Sequence, residues 1–147
     1  MRTYLFCSLA LLAGAAQAAE DVRQLAPMPA AAAANLGAEM RANLLALNEI
    51  LSLVAAGKLK EAGELAEKEL GIPAMGKHRG QPFDARPGPH MPPAMHAIGI
   101  DGHKAASEFA RIAASGDRER TIAALPSLTT ACVGCHYACL LYTSRCV

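Results

Sequence analysis

The chain has 147 residues, enough for one ordinary domain and too few for two. It is 52% hydrophobic but only 4% aromatic, and Ala and Leu supply most of the apolar residues, which favours closely packed helices. The net charge of +1 gives no indication of a nucleic-acid partner or an acidic substrate. No uninterrupted apolar run reaches the roughly 18 residues of a membrane span. We therefore expect a soluble, all-α protein.

The first 18 residues have the organisation of an export signal. Arg2 provides a short positive region, residues 5–16 are apolar, and the Ala-Gln-Ala sequence at 16–18 matches a cleavage site. A buried N-terminal helix is the alternative, but the stretch has no amphipathic period. We expect removal of residues 1–18, a periplasmic location, and a low-complexity leader over residues 19–34.

Two helices joined by a short turn are predicted next. From Asn35 onward, apolar residues recur every three or four positions, which predicts a helix with one buried stripe. That stripe comprises Leu36, Met40, Leu44, Leu47, Leu51 and Val54. Gly57 is a suitable stop, because glycine adopts the left-handed conformation that follows many helix ends. A second helix over residues 58–70 is predicted to bury Leu59, Ala62, Ala66 and Leu70. The turn is short, so the two helices should be antiparallel neighbours.

A long connection and two further helices complete the prediction. Residues 73–99 are rich in Pro, Gly and His, which is typical of an ordered loop. Asp101 is a candidate N-cap for a third helix over residues 102–115, with Ala105, Phe109 and Ile112 inward. Asp117 can cap a fourth, in which Pro126 is expected to cause a kink or a new start. The residues predicted to share one face of that helix are Ile122, Leu125, Thr129, Cys132 and His136. The pattern predicts a four-helix bundle over residues 35–138.

Cys132, Cys135 and His136 form a C-x-x-C-H motif. On a helix, this spacing places both thiols on one flank, where they can bond the two vinyl groups of one haem, and the imidazole faces the iron. A redox dithiol or half of a zinc site would also use two such cysteines. However, the chain has no strand pattern and no second C-x-x-C. The motif therefore predicts one covalent haem c at the C-terminal helix, with His136 as the proximal iron ligand.

With this motif, the chain resembles the class II c-type cytochromes, the group of cytochrome c′ and cytochrome c-556. The resemblance covers roughly residues 35–136 and rests on MRANLLALNEILSLVAAGKLKEAGELAEKELG, HKAASEFA and TTACVGCH, of which only the last is highly specific. It implies a four-helix bundle in which a first-helix residue covers the distal face of the haem. Met40 is the matching residue. If Met40 binds the iron, the resemblance implies a low-spin electron carrier. If the distal residue does not bind the iron, the resemblance implies a five-coordinate iron that can bind NO or CO. Met40 can also be an ordinary core methionine.

Other residues are alternative participants in this site. Arg41 is either a contact to a haem propionate or a solvated helix charge. Four histidines compete with Met40 for the distal position: His78, His90, His96 and His103. The segment PHMPPAMH adds Met91 and Met95 and leaves open a copper-handling function for the loop.

The expected activity is electron transfer with an unidentified redox partner protein. No catalytic triad, paired carboxylate site or phosphate loop occurs in the sequence, so we do not expect an enzyme. The net charge of +1 leads us to expect no nucleic-acid partner. The resemblance also allows a homodimer through the first two helices.

The residues after His136 depart from the resemblance. The family usually continues with an aromatic and a basic residue beside the proximal face, whereas here Tyr137 and Ala138 lead into CLLYTSRCV. One reading frame of a transposon end used in sequencing libraries encodes Cys-Leu-Leu-Tyr-Thr-Ser. Residues 139–147 are therefore interpreted as an artefactual or disordered tail. The alternative is a genuine tail with a disulfide between Cys139 and Cys146, which an oxidising compartment would permit.

Overall fold

The computed structural model describes residues 21–141 and is predominantly helical, which confirms the all-α prediction. Within these residues there are four α-helices: α1 (Ala30–Ala55), α2 (Leu59–Leu70), α3 (Pro93–Ala113) and α4 (Arg118–Ala138). Two short strands, β1 (Gln24–Leu25) and β2 (Cys139–Leu140), pair in parallel. Three single 3-10 turns connect α2 to α3, at Ile72–Ala74, Phe83–Ala85 and Gly88–His90. The predicted signal (1–18) and residues 142–147 lie outside the described part of the chain, whereas residues 139–141 of the predicted tail are described, and Cys139–Leu140 form β2.

The helices pack in chain order around one main core. α1 packs on α2, α2 on α3, and α3 on α4, whereas α1 and α4 touch at few positions. Phe109 of α3 is 1% exposed and is the largest fully buried side chain among the described residues. The buried residues of this core are Ile50, Val54, Leu59, Ala62, Ala66, Ala106, Phe109, Ala113 and Leu128. Of the predicted buried face of α2, Leu59, Ala62 and Ala66 are buried, and Leu70 packs against the same core while partly buried. No helix in the described range is long and apolar enough to cross a membrane.

Tight glycine turns make consecutive helices neighbours. Gly57, between α1 and α2, and Gly116, between α3 and α4, have φ of +75° and +74°, so the left-handed stop predicted at Gly57 is confirmed. The guanidinium of Arg118 donates to the Val54 carbonyl at 2.9 Å and ties the start of α4 to the end of α1. The opposite end of α4 is thereby directed toward the N-terminal half of α1.

The first helix differs from its prediction in start and in rotation. It begins at Ala30, so residues 30–34 of the predicted leader are helical, because consecutive alanines have the highest helix propensity. The predicted stripe was wrong at Leu44 and Leu51, which are 68% and 42% exposed. A strict 3.6-residue period from Leu36 to Val54 passes through Ile50, which is buried. Leu44 and Leu51 each lie one residue off that line, a rotation of about 100°.

The third helix begins nine residues earlier than predicted, at Pro93. Proline suits the first helical turn, because its fixed φ fits a helix and its missing N–H is not needed there. The proposed cap, Asp101, therefore lies inside α3, where its carboxylate pairs with Lys104 at 3.0 Å. The predicted loop is correspondingly shorter.

The fourth helix begins as predicted but does not restart at its proline. The Asp117 side chain accepts a hydrogen bond from the Arg120 backbone N–H at 3.0 Å, which confirms the N-cap. α4 then continues through Pro126 to Ala138. The hydroxyl of Thr130 donates to the Pro126 carbonyl at 2.8 Å in the following turn. The predicted new start at Pro126 is therefore wrong, and the alternative, a kink at Pro126, stays a prediction.

Candidate functional site

The C-x-x-C-H motif occupies the last two turns of α4. Cys132 and His136 are one helical turn apart and exposed, whereas Cys135 is partly buried. Both motif cysteines are free thiols. Ile122 lies on the predicted common face and is 44% exposed, while α4 contributes Leu128 to the main core. Cys132 follows Leu128 by one helical turn on the same side of α4, so the motif continues that side beyond the last α4 residue of the main core.

A second apolar cluster lies at this end of the molecule. Its buried centre is Ala26, Leu36 and Met95. The residues packed against this centre are Met28, Met40, Met91, Cys135, Cys139 and Leu141. Six residues of this cluster contain sulfur, and we call five of them, Met28, Met40, Met91, Met95 and Cys135, the sulfur cluster; the sixth, Cys139, lies beside Cys135 in the predicted tail. Its members come from the segment before α1, from α1, from the loop, from α3 and from α4, so the cluster depends on the complete fold.

Two sets of polar contacts hold this end together. The backbone N–H of Ala26 donates to the Leu140 carbonyl at 2.8 Å and extends the pairing of β1 with β2, which fixes the segment before α1 beside the end of α4. The side-chain amide of Asn35 donates to the Ala85 carbonyl at 2.8 Å and attaches the loop to α1.

One turn further along α1, a second contact attaches the same loop. Glu39 lies 3.5 Å from the imidazole of His78. Because Asn35 and Glu39 adjoin Leu36 and Met40 in sequence, the loop is held next to the α1 residues of the sulfur cluster.

The position of Cys135 changes its acidity. Burial raises the pKa of the Cys135 thiol to about 11, and the neighbouring Cys139 and Cys132 act in the same direction. Cys135 is therefore a neutral thiol at physiological pH. A neutral thiol is compatible with its apolar surroundings, whereas a thiolate there would need a compensating positive charge.

Met40 and Cys135 pack against the same apolar centre, so the predicted distal residue and one predicted attachment cysteine lie at the same end of the molecule. Arg41 is exposed, and its guanidinium lies along α1 beside Gly37. Arg41 therefore adjoins the cluster without contributing to it.

Three of the four candidate histidines have partners within the fold. The His103 Nδ1 lies 2.7 Å from the Leu70 carbonyl at the end of α2. The His90 ring lies 3.2 Å from the Phe83 carbonyl and packs edge-on against the Phe83 ring, and His78 pairs with Glu39. These contacts hold the loop, whereas His96 is exposed on α3.

Two contributors to the site were not predicted from the sequence. Ala26 and Met28 belong to the leader and join the cluster only because β1 pairs with β2 across the molecule. No local pattern distinguishes them from other leader residues. Met95 was noted as part of a loop, but it lies in the first turn of α3 and is 3% exposed.

The function must be inferred from the chemistry of these residues. Comparison of the chain with protein families, curated proteins and solved structures finds no match. Within residues 21–141, no three His, Cys, Asp or Glu side chains lie together as a possible metal site. The arrangement instead combines two free thiols and an imidazole at one helix end with several thioethers packed beside them.

Proposed function

We propose that the protein is a periplasmic monohaem c-type cytochrome that transfers electrons. Cys132 and Cys135 would attach the haem through thioether bonds, and His136 would be the proximal iron ligand. The observation that carries this proposal is the C-x-x-C-H motif at the end of α4, where Cys135 packs on the same apolar centre as Met40.

The residues at this end fit a haem in three respects. Both motif cysteines are free, as thioether formation requires. Cys132 and His136 are exposed on one flank of α4, so no other side chain has to leave before a macrocycle lies against that flank. The adjoining cluster consists of apolar and thioether side chains, which can cover a haem edge and exclude water. When bound, the haem supplies a one-electron centre whose potential depends on axial ligation, burial and hydrogen bonding.

The protein residues would have distinct tasks around this group. The His136 imidazole would bind the iron and fix its position relative to α4. Met40, on α1, would supply a thioether to the iron, the ligand type that raises the potential in electron carriers. Leu36 and Met95, both almost fully buried, would keep water out. Arg41, exposed one residue after Met40, is available to pair with a propionate.

We further propose that the four helices form a bundle of the class II cytochrome type. The packing of consecutive helices supports this arrangement. In addition, α1 and α4 are connected at both of their ends: by Arg118 and Val54 at one, and by the cluster containing Leu36 and Cys135 at the other. Few direct contacts join α1 and α4 between these ends, which is compatible with a cofactor site between them. The predicted export signal agrees with attachment of haem outside the cytoplasm.

Expression together with a haem-attachment system tests the proposal. The purified protein should retain haem after denaturation and give the spectrum of a doubly thioether-linked haem in alkaline pyridine. The double variant Cys132→Ser/Cys135→Ser should show neither property. A low-spin spectrum with a weak near-infrared band would indicate a methionine ligand. A chain without covalent haem would refute the proposal.

The role of Met40 is tested by one substitution and a matched control. Met40→Ala should convert the low-spin spectrum to a high-spin spectrum that shifts on addition of CO. Met75→Ala should leave the spectrum unchanged, because Met75 lies outside the cluster. A wild-type spectrum that is already high-spin and responds to NO or CO would instead identify a gas-binding haem protein. An unchanged Met40→Ala spectrum would exclude Met40 as the ligand.

A further inference from the structure

Sulfur is distributed very unevenly between the two apolar clusters. Residues 21–141 contain five methionines, and four of them, Met28, Met40, Met91 and Met95, belong to the sulfur cluster. The main core is larger and contains no sulfur among its buried residues. Leu or Ile would fill the same space with better-defined rotamers, so space filling alone does not account for this segregation.

The donor atoms present there match one class of metal ion. Thioether and thiolate sulfur are soft ligands that select cuprous copper, whereas harder divalent ions prefer imidazole and carboxylate. No three His, Cys, Asp or Glu side chains are grouped within the described residues, so the arrangement does not resemble a zinc site. Met95, at 3% exposure, would keep water away from a bound ion.

We propose that the haem-free chain binds one Cu(I) ion in the sulfur cluster, through the Cys135 sulfur and thioethers of Met40, Met91 and Met95. On binding, the Cys135 S–H bond is broken, the proton passes to solvent, and a bond from sulfur to Cu(I) forms without any change of oxidation state. The single negative charge of the thiolate then compensates the single positive charge of the ion, so the buried complex is neutral. The ligands come from the loop and three helices, so binding requires the folded chain.

This site does not depend on haem attachment, although it shares Cys135 and Met40 with the proposed haem site. A Cys135 sulfur that carries a thioether bond to haem has no proton to release and no thiolate to offer. The neutral thiolate complex of copper and haem attachment through Cys135 are therefore mutually exclusive states of the same chain.

The test uses the full haem-free chain with a single thiol. Cys7, Cys132, Cys139 and Cys146 are replaced by Ser, which leaves only Cys135 of the five cysteines. Cu(I) is then titrated without oxygen against a coloured cuprous chelator, and proton release is measured in weakly buffered solution. We expect one Cu(I) and one proton per chain, with thiolate-to-copper absorption in the ultraviolet.

Methionine variants in this background separate the proposal from adventitious binding to a thiol. Three substitutions nearly preserve side-chain volume: Met40→Leu, Met91→Leu and Met95→Leu. Each should weaken Cu(I) binding at least about 10-fold, because loss of a residue that only supports the metal ligands already lowers metal affinity by about that factor. Met75→Leu is the matched control and should not change the affinity. Far-UV circular dichroism establishes that each variant is folded.

Three results would overturn the proposal: no binding in the single-thiol chain, equal affinities for all methionine variants, or binding that persists after Cys135→Ser. Binding of equal strength in urea would do the same, because the ligands then need not be brought together by folding. Haem attachment to the unmodified chain is measured separately, so either proposal can fail while the other holds.

Discussion

Two helical glycines allow the contact between α2 and α3 to be measured with a single type of substitution. A Cβ atom at Gly63 of α2 would lie 2.9 Å from the Ala110 carbonyl oxygen and 3.1 Å from the Ala113 Cβ, both on α3. At Gly99 of α3, a Cβ would meet nothing within 4 Å. Gly→Ala is therefore the same chemical change in two helices, with a close neighbour at one position only.

The expected free-energy changes have opposite signs. Alanine is favoured over glycine inside a helix by about 0.8–1.0 kcal/mol, so Gly99→Ala should stabilise the protein by about that amount. Gly63→Ala has the same intrinsic gain, but overpacking typically costs about 1–3 kcal/mol. We expect the upper part of that range, because a backbone carbonyl cannot move away by changing a rotamer. Gly63→Ala should then destabilise the protein by about 1–2 kcal/mol.

Urea unfolding monitored by far-UV circular dichroism measures both effects. The two variants should differ by about 2–3 kcal/mol in unfolding free energy, with unchanged m-values. All three proteins must be compared in the same haem state. If Gly63→Ala were as stabilising as Gly99→Ala, the close approach of α2 to α3 at Ala110 would be wrong.

Three further predictions concern the core, the cap of α4 and the motif. Phe109→Ala should lower the unfolding free energy by about 3–5 kcal/mol in a urea titration, because the side chain is 1% exposed at the centre of the main core; a loss below about 1 kcal/mol would contradict that position. Asp117→Ala removes the acceptor of the Arg120 N–H and should cost about 1 kcal/mol, whereas Asp117→Asn should retain most of the cap. In the haem-free chain, alkylation of Cys135, measured by mass spectrometry, should be slow at neutral pH and should accelerate as the pH approaches about 11. In a short peptide with the same motif, the acceleration should occur near pH 9.0, the ordinary pKa of a cysteine. The Cys135 thiol has a pKa of about 11 in the folded state and near 9.0 in the unfolded chain, so the folded state binds this proton more tightly. The free energy of unfolding should therefore fall as the pH rises from about 9 to about 11.

The elements with strong local signals were predictable from the sequence. Asp117 begins α4 as predicted, and Gly57 ends α1 in a left-handed conformation. The buried residues Leu59, Ala62 and Ala66 of α2 were predicted correctly because charged residues fill most of the other positions of that helix, which favours one rotation. Such signals depend on residues within one or two turns of each other, which the sequence contains in full.

The predictions that failed depend on distant parts of the chain. α1 has leucines on more than one face, so periodicity alone left its rotation ambiguous, and packing on α2 favoured Ile50 over Leu51. The start of α3 was missed because Gly99 and Gly102 weaken the helical pattern after Pro93. The grouping of Met28 with Met40 requires the pairing of β1 and β2 and has no sequence signature.

The separation of the two apolar clusters has a consequence for interpreting variants. The buried centres of the clusters share no residue: one is built around Phe109, the other around Leu36 and Met95. α1 contributes to both, with Leu36 at one end and Val54 at the other, and α4 also spans both through Leu128 and Cys135. A substitution in the main core should therefore act on the sulfur cluster chiefly through the relative position of α1 and α4. Met→Leu changes in the sulfur cluster should alter ligand chemistry with little loss of stability, because they nearly preserve volume and leave the main core intact.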